Sequence, residues 1–328
     1  MSEHRDVIEY LSQIGLVFNQ VIAHGSYGIV FLVYSIQYQS YFAVKQVPEK
    51  MFHEQEVRCL MELDDIRIVY LYKYFKIDDC YYFVMEYCPN DLEHFLNTKK
   101  MISEEVQRNI MKEVLLSVKV CHDNHIAHRD IKPSNFLIDK YGRIRLSDFG
   151  LSTFQTYDEK CSEYVGTHFF MAPEIYAHKK DGSSYNPILS DIWAIGVTLY
   201  FIATRRFPFQ SYDFNTLQEQ IMSAQYDEKL IPDLRLRFII SNCLQVDPLR
   251  RPSISEILLM PYFSKLPQSR SCKVPKGQAI FQPRTKQSID KSKRNSMFVY
   301  RNCIVRSQSN NGNLNMIAAA NVDMEDLI

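Results

Sequence analysis

The apolar pattern of this chain changes kind once, near Cys88, and that change confines the fold to a small set of architectures. Before it, residues 17–22, 29–35, 41–47, 69–74 and 81–87 are short runs rich in Val, Ile, Phe and Tyr, the composition of strands. Gly25 and Gly28 mark the first turn, and Asp78-Asp79 the last. One stretch interrupts them, residues 51–63, where Val57, Leu60 and Leu63 recur at helical spacing. After Cys88-Pro89-Asn90-Asp91 the period becomes helical, and residues 104–122 read as a long helix with Ser103 at its N-cap and an acidic first turn. The apolar run 192–203 contains Thr198 and is too short to span a bilayer, so it reads as a buried helix. Strands first and helices after imply an α+β fold of two lobes.

Polar residues interrupt this frame at fixed spacing. The run His128-Arg129-Asp130-Ile131-Lys132-Pro133-Ser134-Asn135 is followed, thirteen residues after Asn135, by Asp148-Phe149-Gly150. Together they supply a candidate base, a cation for phosphate and two hard oxygen ligands for Mg²⁺. That is most of what phosphoryl transfer asks of a protein, because the chemistry is mainly positioning and charge neutralisation. A turn stabilised by Asp and Asn would explain the first run but says nothing about the second. Upstream, Ala23-His24-Gly25-Ser26-Tyr27-Gly28-Ile29-Val30 falls on a strand–turn–strand, where glycines let backbone N–H groups approach nucleotide phosphates closely.

These motifs and their order match the protein-kinase signature set, and over residues 14–264 the chain resembles the eukaryotic protein kinase family. Its wording is nearest to the calcium/calmodulin-dependent and AMP-activated group. The resemblance implies a small, mostly antiparallel β lobe with one helix (residues 14–87) and a larger, mainly helical lobe (residues 91–264). It also implies ATP and Mg²⁺ as cofactors. Asp130 would accept or orient the proton of the substrate hydroxyl, Lys132 would neutralise the transferring phosphate, and Asn135 and Asp148 would hold magnesium. Lys45, in Phe42-Ala43-Val44-Lys45, would contact the α- and β-phosphates and pair with Glu56 of the following helix. Ile22, Gly25, Ser26, Gly28, Val30, Ala43, Met85, Glu86, Cys88, Asp91 and Leu137 would surround the nucleotide, with Met85 as gatekeeper. Ala23 stands where the family keeps its first glycine. Phe149 and His128 would pack in the core. Met171-Ala172-Pro173-Glu174 closes an activation segment, and Asp247-Pro248 with Arg251-Pro252 matches a late motif, so Glu174 and Arg251 would form a buried structural pair.

Lys132 and Thr167 favour serine or threonine as the acceptor in a protein substrate. Arg129 precedes the base and in this family often binds a phosphate on the activation segment. Here Glu163 occupies the usual phosphothreonine position and offers a fixed negative charge, while modification of Ser162 or Tyr164 by an upstream kinase is the competing expectation. Ser134 and Phe201 replace the glutamates of basophilic relatives, so no strong demand for arginine upstream of the target is expected. The rival reading is a pseudokinase scaffold, which usually lacks Lys45, Asp130 or Asp148; this chain has all three.

Residues 1–13 read as an N-terminal extension. Residues 265–328 carry eleven Lys/Arg against four Asp/Glu and are rich in Ser and Asn, a composition expected to be largely disordered and mainly solvated. The eight cysteines include no C-x-x-C pair, which argues against zinc or a disulfide framework. The N-terminus lacks a signal peptide's apolar core. The expectation is a monomeric, cytoplasmic chain without a membrane span or a specific nucleic-acid partner, its basic tail leaving nuclear entry open.

Overall fold

The structure is a computed structural model that describes residues 5–25, 28–99, 101–154, 161, 163, 165–264, 304–310 and 313–316. The described residues divide into two compact units, one drawn from residues 1–54, 70–87 and the tail, the other from 55–69 and 88–264.

The first unit opens with helix α1 (Arg5–Gln13), followed by strands β1 (Leu16–Gly25), β2 (Gly28–Ser35) and β3 (Ser40–Pro48). Helix α2 (Glu54–Glu62) belongs to the other unit from Gln55 onward, and the first resumes with β4 (Leu71–Ile77) and β5 (Cys80–Glu86). These strands form one antiparallel sheet in the order β1-β2-β3-β5-β4. Alternate residues Phe31 and Val33 on β2 and Phe42 and Val44 on β3 are buried, as period-two patterning requires when one face meets a core. Helix α1 completes that core with Val7 and Leu11, which cluster with Leu16, Phe75, Tyr82 and Val84. Residues read as a bare extension are thus a helix, held by its apolar stripe rather than by its nine-residue length.

The second unit contains β6 (Asn90–Asp91), α3 (Leu92–Thr98), α4 (Glu104–Asp123), β7 (Ile126–Ala127), β8 (Phe136–Ile138), β9 (Ile144–Leu146) and β10 (Thr153–Phe154). Helices α5 (Pro173–Asp181), α6 (Pro187–Thr204), α7 (Phe214–Ser223), α8 (Leu234–Cys243) and α9 (Ile254–Leu259) follow. Ser103 caps α4 as expected, its hydroxyl accepting from the Val106 N–H at 3.3 Å. Helix α6 is apolar and long enough to cross a membrane, yet 78% of it is buried inside this unit, so it is read as a core helix. Its Gly196 lets α8 approach closely, for a Cβ there would lie 2.8 Å from that of Cys243. The antiparallel sheet and the helical unit together make the α+β fold that the strand-then-helix order implies.

Two element boundaries differ from the sequence pattern, and the tail, expected to be largely disordered, contributes two strands among its described residues. The expected helix over 51–63 is a 3₁₀ turn, Glu49–Met51, followed by the shorter α2. The expected strand at 69–74 begins at Leu71, because the Val69 N–H donates to the Leu146 carbonyl at 2.9 Å instead of joining the β4 ladder. In the tail, β11 (Ile304–Asn310) lies parallel to β4, with Ile304 opposite Tyr74, and β12 (Asn313–Met316) pairs with β11.

Candidate active site

Asp130 is 5% exposed, and its carboxylate is fully engaged. One oxygen accepts from the Thr167 hydroxyl at 2.8 Å. The other meets the Lys132 ammonium at 2.7 Å and the Asn135 amide nitrogen at 3.0 Å. The Lys132 ammonium also donates to the Thr167 oxygen at 2.9 Å, so one hydroxyl acts as donor to the carboxylate and acceptor from the cation. Thr167 reaches this position because Gly166, at φ +117°, runs so close to the Arg129 carbonyl that a Cβ would lie 3.0 Å from it.

The loop carrying Asp130 is fixed from beneath by Asp191 of α6. Its carboxylate accepts from the backbone N–H groups of His128 and Arg129, each at 2.8 Å, and contacts His122 Nε2 at 3.0 Å. These bonds hold Arg129 at φ +68°, a left-handed conformation costly for a side chain with a Cβ. His128 is fully buried: its Nδ1 accepts from the Asp130 N–H at 3.3 Å, which assigns the proton to Nε2 and a bond to the Ser147 carbonyl at 2.9 Å. The Phe149 ring stands edge-on to it, centroids 4.9 Å apart, so both residues are in the core as expected.

Asn135 and Asp148 approach through Ser147, whose N–H and hydroxyl both donate to the Asn135 carbonyl at 2.9 and 3.0 Å. The Asn135 side-chain nitrogen is committed to Asp130, which leaves its amide oxygen as the atom for a metal, while Asp148 sits at φ +63°. Two hard oxygen donors, the Asn135 amide oxygen and the Asp148 carboxylate, are of the kind that would suit Mg²⁺. Glu56, 3% exposed, lays its carboxylate along Gly150, where a Cβ would meet Glu56 Oε2 at 3.5 Å and Asp148 Oδ1 at 3.7 Å.

In the first unit, Lys45 lies on β3 opposite Val30 of β2 and Phe83 of β5. Ala43 lies opposite Met85, Gly25 opposite Gly28, and Ile22 and Glu86 sit on β1 and β5. Ser26 lies outside the described residues. In the second unit Asp91 pairs in register with Leu137, and its carboxylate caps α3 by accepting from the His94 N–H at 2.8 Å; Cys88 is half-buried two residues before β6.

Glu174 and Arg251 form the expected pair, bidentate at 2.7 and 2.8 Å, with the Arg251 guanidinium over Trp193 and bonded to the carbonyls of Leu189 and Gln245. Arg129 and Glu163 also meet, at 2.6 Å. Asp191 and Ser147 were not singled out as site residues by their sequence surroundings. Asp191 directly precedes the apolar run 192–203, and its contact with the loop spans 63 residues.

A model of the protein kinase domain matches residues 16–263. The chain therefore belongs to the protein kinase family. It is 29% identical over 251 residues to sperm motility kinase 2B of Mus musculus, a match covering 75% of this chain and 51% of that one. It is 32% identical over 206 residues to serine/threonine-protein kinase kin-29 of Caenorhabditis briggsae, covering 62% and 25%. It is 29% identical over 252 residues to the carbon catabolite-derepressing protein kinase of Candida glabrata, covering 74% and 40%. The chain spans about half the length of these relatives, or less.

Proposed function

We propose that this chain is a catalytically active kinase that transfers the γ-phosphate of Mg·ATP to a serine or threonine hydroxyl of a protein. The observation that carries this reading is the shared clasp of Thr167, Lys132 and Asn135 on the Asp130 carboxylate. A substrate hydroxyl taking the place of one of these contacts gives its proton to the Asp130 side as its oxygen attacks the γ-phosphorus. The bond from that phosphorus to the β–γ bridging oxygen breaks, and ADP leaves. Lys132 then sits where it can neutralise the moving phosphoryl group. By the family resemblance alone, Lys45 of β3 would supply charge for the remaining phosphates. Magnesium, held by Asn135 and Asp148, would supply further neutralisation of phosphate charge when bound. Positioned groups of this kind act mainly by orientation and electrostatic stabilisation.

The acceptor segment carries no strong demand for arginine ahead of the target, although Asp91 and Glu93 leave room for a mild preference. Ser134 and Phe201 replace the carboxylates such arginines meet elsewhere in the family, and Phe201 is buried and stacked on Phe207 with centroids 5.0 Å apart. Labelled phosphate transfer from Mg·ATP to a generic basic protein tests the function, with wild type and Asp130→Ala side by side. Transfer by wild type alone supports the proposal. Absence of transfer by either, in protein that binds ATP, favours the scaffold reading.

A further inference from the structure

The sheet of the first unit has an edge that the protein fills with its own chain. In the order β1-β2-β3-β5-β4, strand β4 would present one side of its backbone N–H and C=O groups unpaired, the usual template for another strand. Lys73 and Lys76 stand on β4, and lysine on an edge strand is a common guard against indiscriminate pairing. One short stretch is nevertheless paired. Ile304, Val305 and Arg306 of β11 lie parallel to Tyr74, Phe75 and Lys76, in register. Phe75, the middle of the three, is held in the core that α1 covers, so the backbone offered to β11 is anchored from within.

The sequence of the docked segment differs from the tail around it. Residues 304–316 carry one charge, Arg306, whereas the rest of 265–328 carries ten Lys/Arg and four Asp/Glu. The segment opens on the β-branched pair Ile304-Val305, which favours a pleated strand. Between its two strands stand Asn311 and Gly312, the dipeptide most favourable to a two-residue hairpin connection, and Asn310 and Asn313 on either side are in register. The register also divides the labour. Residues 304–306 pair with β4, while 307–310 pair with 313–316 of β12, so the hairpin's own ladder is formed by residues that β4 does not use.

Three in-register pairs make a small contact, and one of them is unfavourable by charge. Arg306 stands opposite Lys76, itself a cation paired with Glu49 and lying over the Tyr81 ring at 5.5 Å. Like charges directly opposite each other destabilise a strand pair. So small a contact is populated because the strand belongs to the same chain and meets the edge at an effective concentration on the order of a millimolar. We infer that the outer edge of β4 is a strand-docking site, that its ligand is this chain's own hairpin 304–316, and that docking is reversible, so that β4 alternates between a covered and an open edge. The chemistry the site selects is an extended segment opening on β-branched residues and read through main-chain hydrogen bonds. The inference concerns the first unit alone and does not depend on phosphate transfer.

The test follows amide hydrogen exchange over residues 71–77 in the full chain, comparing wild type with Ile304→Pro and Val305→Pro. Parallel pairing draws its donors from alternate residues, so between them the two prolines remove a β11 N–H that bonds to β4. The expected result is exchange over 71–77 quickened by about tenfold in at least one of the two variants, with residues 28–35 of β2 unchanged. A synthetic peptide of residues 302–317, added at about millimolar concentration to that variant, should restore slow exchange. Equal exchange over 71–77 in all three proteins would overturn the inference, as would a peptide without effect. Equal quickening over 28–35 would also overturn it, since the tail would then be part of the folded core and not a docked strand. Protection that rises with protein concentration over about a fiftyfold range would assign the edge to a second copy and overturn docking within one chain.

Discussion

Replacing Asp191 by Asn probes how the candidate base is held. Asp191 is 1% exposed and serves two backbone N–H groups at 2.8 Å each, with His122 Nε2 at 3.0 Å. Asparagine preserves the shape but turns one oxygen into a donor, so one of the two amides faces an N–H instead of an acceptor. The loss of a charge-assisted bond together with a buried unsatisfied N–H amounts to about 3 kcal/mol. For a unit of this size that corresponds to a melting temperature lower by about 6–12 °C. Arg129, at φ +68°, is then released from the contact that offsets its strain, and Asp130 is the next residue. The activity should fall mainly in kcat, by about a hundredfold, with KM for ATP changed by about twofold at most. Thermal unfolding and steady-state phosphate transfer on the same preparations measure both. A variant that melts within about 2 °C of wild type and keeps its kcat would refute the role assigned to Asp191.

Other substitutions test separate parts of the account. Arg251→Ala leaves the Glu174 carboxylate without its bidentate partner and should cost about 3–5 kcal/mol in denaturant unfolding, part of which Arg251→Ala/Glu174→Ala recovers. At Asp139, burial alone would raise the pKa, but the backbone and guanidinium of Arg143 and the Tyr141 N–H outweigh it and hold the carboxyl below its ordinary value. Its folded pKa is depressed, so its stabilisation is complete above the unfolded value of roughly 3.9 and is lost as pH falls through the folded one. Melting temperature against pH should accordingly fall more steeply below about pH 4 in wild type than in Asp139→Asn. Gly196→Ala places a Cβ 2.8 Å from that of Cys243 and should cost about 1–3 kcal/mol by overpacking α6 against α8, read from the denaturation midpoint.

The sequence made the candidate site legible because its motifs admit few residue types and few spacings. Asp130, Lys132, Asn135 and Thr167 meet in the structure as their motifs imply, although 37 residues separate Thr167 from Asp130. The Glu163–Arg129 contact was legible by counting back from Thr167, and Glu174–Arg251 from paired motifs. What the sequence concealed is held by tertiary contact. Asp191 binds backbone amides, which leave no mark on the side-chain pattern. Helix α1 is too short to declare itself by propensity and exists through Val7 and Leu11 on the core. The Tyr185–Cys161 bridge joins a loop to the activation segment through main-chain atoms that any residue could supply.

The most direct test of the central claim is a single-turnover measurement of labelled γ-phosphate transfer to a mixed serine, threonine and tyrosine peptide library, comparing wild type with Asp130→Asn. Asparagine keeps the size of the clasped side chain and removes the group that takes the proton. The account predicts label on serine or threonine alone, no dominant preference for upstream arginine, and a rate at least about a hundredfold lower for Asp130→Asn with ATP binding retained. Label on tyrosine, or equal rates for the two proteins, would contradict it.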